Sequence, residues 1–283
     1  MIRIITDSAS DISQAEAKKL GLTVIPLKVR FNNVEYIDGI TITNAEFFNR
    51  LVETDELPKT SQLTPFDYIK TFDMVDKNDK AIVICLSSNL SGTYNSALVA
   101  ASDYPNIYVI DSKNVTIGQR LLVLRALELT KEYDDVEKII NILESEKKNI
   151  KLVALLDTLE YLKKGGRISA TTAIVGGLLN IKPVVAVEDG KIVSIGKARG
   201  SKNGNNKLRE KIEKYHGIDY KKPYAVAYSG LDDSLLQKYI SDSNDLCDKA
   251  IPKVLIGSVI GTHIGPGAIA VAFFSNGDDL DEK

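Results

Sequence analysis

Hydroxyl groups, glycines and one histidine are the residues of this chain whose spacing points to chemistry. The segment CLSSNLSGTYNSA (85–97) reads as the end of a buried strand running through serines and glycine into a helix. Such a junction presents free backbone N–H groups and a positive helix end at the carboxyl edge of a sheet, which suits an anion. Ser91 adds a hydroxyl donor, and Gly92 lets a ligand approach the backbone closely. Ser88, Ser91 and Thr93 are equally suited to satisfying the turn and capping the helix. No lysine follows the glycine, so this is not a Walker phosphate loop. KTSQLTP (59–65) supplies Thr60, Ser61 and Thr64. Thr64 is accounted for as a helix cap before Pro65, whereas Thr60 and Ser61 have no structural duty and are ligand candidates. TDSASD (6–11) sets further hydroxyls after the first strand, where open α/β sheets bind ligands, and reads equally as a turn.

The cationic candidates are Arg167 in KKGGRIS, able to reach phosphate with bidentate geometry, and Lys197, Arg199 and Lys202 in GKARGSKNG. Each is also compatible with an ordinary solvated face. His216 follows a charged helix and fits a C-terminal cap. His263 differs, because GTHIGPGA reads as a loop of glycines and a proline in which nothing structural demands an imidazole.

Those residues need elements to hold them. IRIIT, then SQAEAKKLG with a glycine stop, reads as strand, loop and helix. TVIPLKVRFNNVEYID alternates through Asn32-Asn33, predicting a hairpin near 27–38 that projects from the first sheet. Helices over TNAEFFNRLVE, after Thr64, over GTYNSALVAAS and over IGQRLLVLRALELT alternate with strands AIVICL and NIYVID. This alternation predicts a mostly parallel sheet flanked by helices. After residue 150 the pattern changes to the strand KLVALL, short helices over LEYLKKGG and AIVGGLLN, and a hairpin around Asp189-Gly190. Helices and strands then follow through PKVLIGSV and AIAVAFF, predicting an α+β domain with a mixed sheet. The expected domains are therefore 1–150 and 151–283, with GDDLDEK as a free acidic tail.

Composition bounds the partners. At 283 residues, with 44% hydrophobic and 26% charged residues, the chain has the balance of a soluble globular protein and the length of two domains. Its 36 basic and 38 acidic residues nearly cancel, and no basic run interleaves aromatics, so nucleic acid is not expected as a partner. Cys85 and Cys247 lack paired spacing, which suggests neither a disulfide framework nor a zinc site and fits a reducing cytoplasm. MIRIITDSASDIS has no signal-peptide pattern, and the apolar runs fall far short of the roughly 20 residues of a membrane helix. No cofactor or metal is implied.

TDSASDI, TSQ, SSNLSGTYNSA, DSKN, LEYLKKGGRIS and IGTHIGPGAIAV, in this order along almost the whole chain, resemble the signature segments of the DegV family of bacterial fatty-acid-binding proteins. One departure is Leu63 after TSQ, where the family often has proline. The resemblance implies a carrier that encloses one long-chain fatty acid between two domains and is not itself an enzyme. It implies carboxylate ligands Thr60, Ser91 and His263, with Ser61 and Gly92 in the same motifs. Arg167 and Arg199 match basic positions associated with the head-group end and with a partner, a fatty acid kinase that makes acyl phosphate for phospholipid synthesis. The alternative from the residues alone is a serine hydrolase using Ser91 and His263, although LSGTY lacks the glycine-flanked elbow of such enzymes and no acid is placed to orient the histidine. A nucleotide-binding enzyme using the glycine and hydroxyl loops is a further reading, without a lysine loop to support it.

Overall fold

A computed structural model describes residues 1–54, 56–168, 180–243 and 251–277. The first part of the chain runs β1 (Ile2–Asp7), α1 (Gln14–Leu20), β2 (Thr23–Ile25), β3 (Lys28–Phe31), β4 (Val34–Ile37), α2 (Asn44–Glu53), β5 (Lys59–Ser61) and α3 (Pro65–Phe72). It continues through β6 (Lys80–Cys85), α4 (Thr93–Ala101), β7 (Ile107–Asp111), α5 (Thr116–Glu132) and α6 (Val136–Glu146). The rest comprises β8 (Ile150–Leu155), α7 (Glu160–Lys164), β9 (Ile181–Glu188), β10 (Lys191–Arg199) and α8 (Gly200–Lys214). It ends with β11 (Ala225–Tyr228), α9 (Ser234–Asp242), β12 (Lys253–Leu255), α10 (Ser258–Ile264) and β13 (Ile269–Phe274). The helix expected over AIVGGLLN and the acidic tail fall almost wholly outside the described residues.

Strands β2-β1-β6-β7 form a parallel sheet, as the alternation predicts. The chain leaves β1 toward β2 on one side and returns to β6 on the other, so a topological switch point lies at the carboxyl ends of β1 and β6, where such sheets place ligands. The expected hairpin forms between β3 and β4, with Asn32 at φ 51°, and gains β5 as a third antiparallel strand. With α2, this small sheet buries its own cluster of Val29, Phe31, Ile42, Phe47, Phe48 and Leu51.

The mixed sheet predicted for the second half has the order β10-β9-β8-β13-β11-β12, antiparallel except between β11 and β12. Both of its faces are buried. Val153, Leu155, Val271 and Phe273 pack on one side with Leu208, Ile212 and Leu236 of α8 and α9. Leu152, Ala154, Val185 and Ala270 point the other way into a core shared with the first sheet. Helix α5 lies in that shared core and touches β1, β6, β8, β11 and β13. It is buried nearly all round, with Leu121, Leu122 and Val123 at 0% exposure, so it carries no polar stripe.

Local signals explain the elements nearest the site. Thr64 caps α3 reciprocally with Asp67, whose carboxylate accepts the Thr64 N–H at 2.8 Å, and Pro65 opens the helix. Asp189 and Gly190, at φ 47° and 76°, make the tight turn between β9 and β10. The tip of that hairpin docks on the loop after β6. The Ser87 hydroxyl donates to Gly190 O at 2.7 Å, and the Asn89 amide donates to Asp189 O at 2.7 Å.

Candidate functional site

A cavity of about 420 Å³ opens between the inner face of the six-stranded sheet and the loops at the carboxyl edge of the parallel sheet. Its walls are mainly aliphatic, including Leu27, Leu90, Leu152, Leu156, Val259 and Ile260. The room comes from small side chains. Ala154 of β8 pairs with Ala270 of β13, which pairs in turn with Ala227 of β11, all on the face toward the shared core. On the opposite face the same strands carry Val153, Leu155, Ile269 and Val271.

The polar lining residues form a ring of contacts. Thr60 Oγ1 and His263 Nε2 lie 3.0 Å apart. Gly165 packs so closely on the imidazole that a Cβ there would stand 2.3 Å from Nδ1. Arg167 donates from Nη1 to Gly165 O at 2.5 Å and from Nε to Leu90 O at 3.3 Å, crossing from α7 to the loop after β6. Two residues after Leu90, Gly92 faces Gln62, whose side-chain amide would be 2.1 Å from a Cβ on Gly92. Gln62 closes the ring back to Thr60 along the chain.

The hydroxyls of the loop after β6 also have structural ties. Thr93 donates its N–H to Ser91 Oγ at 3.3 Å, and the two hydroxyls lie 2.9 Å apart. Thr93 Oγ1 accepts the Leu63 N–H at 3.3 Å, a bond that a proline at position 63 could not donate. Thr60 is half-buried on β5, opposite Val29 of β3, and Ser61 is exposed at the border of the cavity.

His263 corrects one expectation. GTHIGPGA is not wholly a loop, because His263 occupies the last turn of α10, which ends at Gly265 with φ 71° and ψ −178°. Burial, then the nearby positive charge of Arg167, lowers the His263 pKa to about 4. The ring is therefore neutral near pH 7. Its Nδ1 is buried without a hydrogen-bond partner among the described residues. In one tautomer Nε2–H donates to Thr60, leaving the threonine O–H free to donate to an anion.

Thr60, Ser61, Ser91, Gly92, Arg167 and His263 thus converge on one cavity. Arg199 does not join them; it stands exposed at the end of β10, where its backbone precedes α8. Thr60, Arg167 and His263 also form one wall of an outer depression of about 520 Å³ that includes Glu56, Lys59 and Lys164. Sequence reasoning missed Gln62 and the alanines. The alternation of Leu152, Ala154 and Leu156 in β8 was the available signal for the lining, since every second residue of a strand shares a face.

Among the described residues the geometry does not assemble a hydrolytic triad. His263 bonds Thr60 and Ser91 bonds Thr93, and the imidazole nitrogen that an acid would orient has no partner among the described residues. Among the described residues, no helix is long and apolar enough to cross a membrane.

The sequence model of DegV, described as an uncharacterised protein family, matches residues 1–276. The chain belongs to the DegV family. A DegV domain-containing protein of Caldanaerobacter subterraneus is 34% identical over 276 residues, covering 96% of this chain and 98% of its own. Among solved structures, a DegV family protein from Thermus thermophilus, described by its fatty acid binding, superposes with a TM-score of 0.85 at 30% identity. That match covers 97% of this chain and 99% of the other. A stearic acid-binding protein from Eubacterium ventriosum superposes at 0.82 and 28% identity, covering 96% of this chain and 97% of its own. These two neighbours share the fold over nearly their whole length.

Proposed function

We propose that this DegV chain binds one long-chain fatty acid in the cavity, with residues 1–150 and 151–283 as the two enclosing domains. The carboxylate is met by Thr60, Ser91 and His263, and the tail runs along the aliphatic walls. The observation that carries this reading is an apolar cavity bearing a contiguous ring of hydroxyls, one arginine and one neutral histidine. Its volume lies within the range of small-molecule sites. The descriptions of the Thermus and Eubacterium neighbours support it.

The division of labour follows from magnitudes. At about 0.8 kcal/mol per buried CH₂, about fifteen methylenes contribute about 12 kcal/mol before the costs of association. A buried carboxylate costs several kcal/mol unless donors meet it, so the polar ring mainly cancels a penalty. The chain is then a carrier rather than an enzyme. It works in the cytoplasm and presents the acid to a separate fatty acid kinase, which makes acyl phosphate for phospholipid synthesis. Arg167, between the cavity and the outer depression, serves the head-group end, and exposed Arg199 faces the kinase.

Mass spectrometry of the organic extract of purified protein tests this reading. The expected result is a long-chain fatty acid near one equivalent, reduced in Ser91→Ala while the fold persists. An extract without fatty acid, together with no binding of added palmitate, overturns it. Acyl phosphate made by the isolated chain from ATP and palmitate would overturn the carrier role.

A further inference from the structure

We propose that Asp11 and Asp38 are positioning residues for the head-group end of the cavity, holding the first turn of α10 so that His263 meets Thr60. This rests on the fatty-acid reading and deepens it. Helix α10 has seven residues, three of them Ile260, Gly261 and Thr262, and no side chain of its own segment caps it. A helix so short and so poor in helix formers has little stability alone. Its orphan N–H groups go instead to two carboxylates from the other end of the chain.

Asp11 Oδ1 accepts the Gly257 N–H at 2.9 Å. Asp38 Oδ1 accepts the Ser258 N–H at 3.1 Å and the Ser258 hydroxyl at 2.5 Å. The approach is close enough that a Cβ on Gly257 would stand 2.9 Å from Asp11 Oδ1 and 3.5 Å from both oxygens of Asp38. The pair thereby satisfies N-terminal donors that the helix cannot satisfy itself.

The carboxylates are themselves anchored. Asp38 Oδ2 accepts the Ser8 hydroxyl at 2.7 Å, and Ser8 Oγ accepts the Leu27 N–H at 3.0 Å. The other oxygen of Asp11 accepts the Thr116 hydroxyl. Thr116, a β-branched residue at φ 49°, borders the cavity at the start of α5. Arg120 donates to the carbonyl of Asp11 and pairs with Glu16; these are the charged groups beside Asp11, besides Asp38 itself. At the far end of α10 the Ser229 hydroxyl donates to Gly265 O at 2.7 Å. Both ends are fixed, and the five helical steps from Ser258 to His263 carry the N-terminal anchor about 7.5 Å along the helix to the imidazole.

The chain has two histidines, His216 and His263, so ring ¹H–¹⁵N spectra, assigned with His216→Gln, report on His263 alone. Wild type, Asp38→Ala, Asp38→Asn and Ser258→Ala are delipidated and titrated with palmitate. Asn205→Ala serves as a stability control, because its buried amide bonds Asp242 in the core behind the six-stranded sheet. Asp38→Ala should shift the His263 ring signals and weaken palmitate binding about tenfold or more. Asp38→Asn, which keeps an acceptor for Ser258, should recover to within about threefold of wild type. Asn205→Ala should lower the melting temperature without moving the His263 signals. Unchanged His263 signals and affinity in Asp38→Ala overturn the proposal. If that variant does not fold, unchanged His263 signals in Ser258→Ala overturn it instead. Failure of wild type to bind palmitate would sink the fatty-acid reading, whereas the ring signals still decide the positioning role.

Discussion

His263 Nε2 and Thr60 Oγ1 stand 3.0 Å apart although 203 residues separate them, and this pair joins the last turn of α10 to the short strand β5. Losing the hydroxyl would leave both imidazole nitrogens without a partner among the described residues, since Nδ1 already has none there. Thr60→Val is therefore expected to weaken palmitate binding about tenfold, the 1.4 kcal/mol scale of a lost hydrogen bond. Thr60→Ser should stay within about threefold. Titration calorimetry on delipidated protein checks this, and equal affinities for Val and Ser at position 60 would contradict it.

The buried imidazole also sets a pH dependence. His263 has a folded pKa of about 4 against 6.5 for the free side chain. Between those values the unfolded chain binds more protons at this site. The contribution to stability is thus fully present above about pH 6.5 and lost as pH falls toward 4. Burial acts oppositely on Asp7 and Asp11, raised to about 6 and about 7, whose contributions are lost as pH rises through those values. Both aspartates remain in His263→Gln, so subtracting the two stability curves isolates the histidine. Urea unfolding of delipidated protein should show the difference between wild type and variant changing by up to about 3 kcal/mol from pH 7 to pH 4. Parallel curves would refute the neutral, buried state of the ring.

Much of the architecture was legible because its signals are local. Thr64 with Pro65 marks a helix start, Asp189-Gly190 marks a hairpin, and the alternation of apolar strands and helices marks a parallel sheet. The helix under His263 was not legible. Its glycines argue against a helix, and the groups that stabilise it, Asp11 and Asp38, arrive from 246 and 220 residues away. The hydroxyl motifs pointed to Ser91, because a hydroxyl beside glycine between a strand end and a helix is a chemical signal, and to Thr60, because Thr64 alone accounts for the helix cap. The alanines that line the cavity, Ala154 and Ala270, carry no such signal, since a small residue in a strand reads the same whether it faces a cavity or a packed core.

Gly265 is required by its conformation and by its neighbour. At φ 71° and ψ −178° it occupies a region essentially closed to other residues, and a Cβ would lie 2.3 Å from the Tyr161 ring. Gly265→Ala should lower stability by about 3 kcal/mol or more. Gly196→Ala, where a Cβ meets nothing within 4 Å, should cost less than about 1 kcal/mol. Thermal and urea denaturation of the two variants decide this. Similar losses would mean that the chain end of α10 adapts more freely than its packing indicates.

The register of β8 and β13 places Ala154 and Ala270 side by side on the cavity face, so their methyl groups fix how far the sheet stands from whatever occupies the space. Replacing either with leucine adds three carbons that have room to enter the cavity rather than a packed interior, so the fold should survive. The added volume then competes directly with the tail. Mass spectrometry should find the retained fatty acids shortened by about two to four methylenes in Ala154→Leu and Ala270→Leu. Val153→Leu, on the opposite face of β8 against α8, should lose stability by overpacking and leave the chain-length profile unchanged. If all three variants keep the wild-type profile, the tail does not lie along the alanine face. The aliphatic residues of the N-terminal loops, Leu27 and Leu90, would then have to line its path.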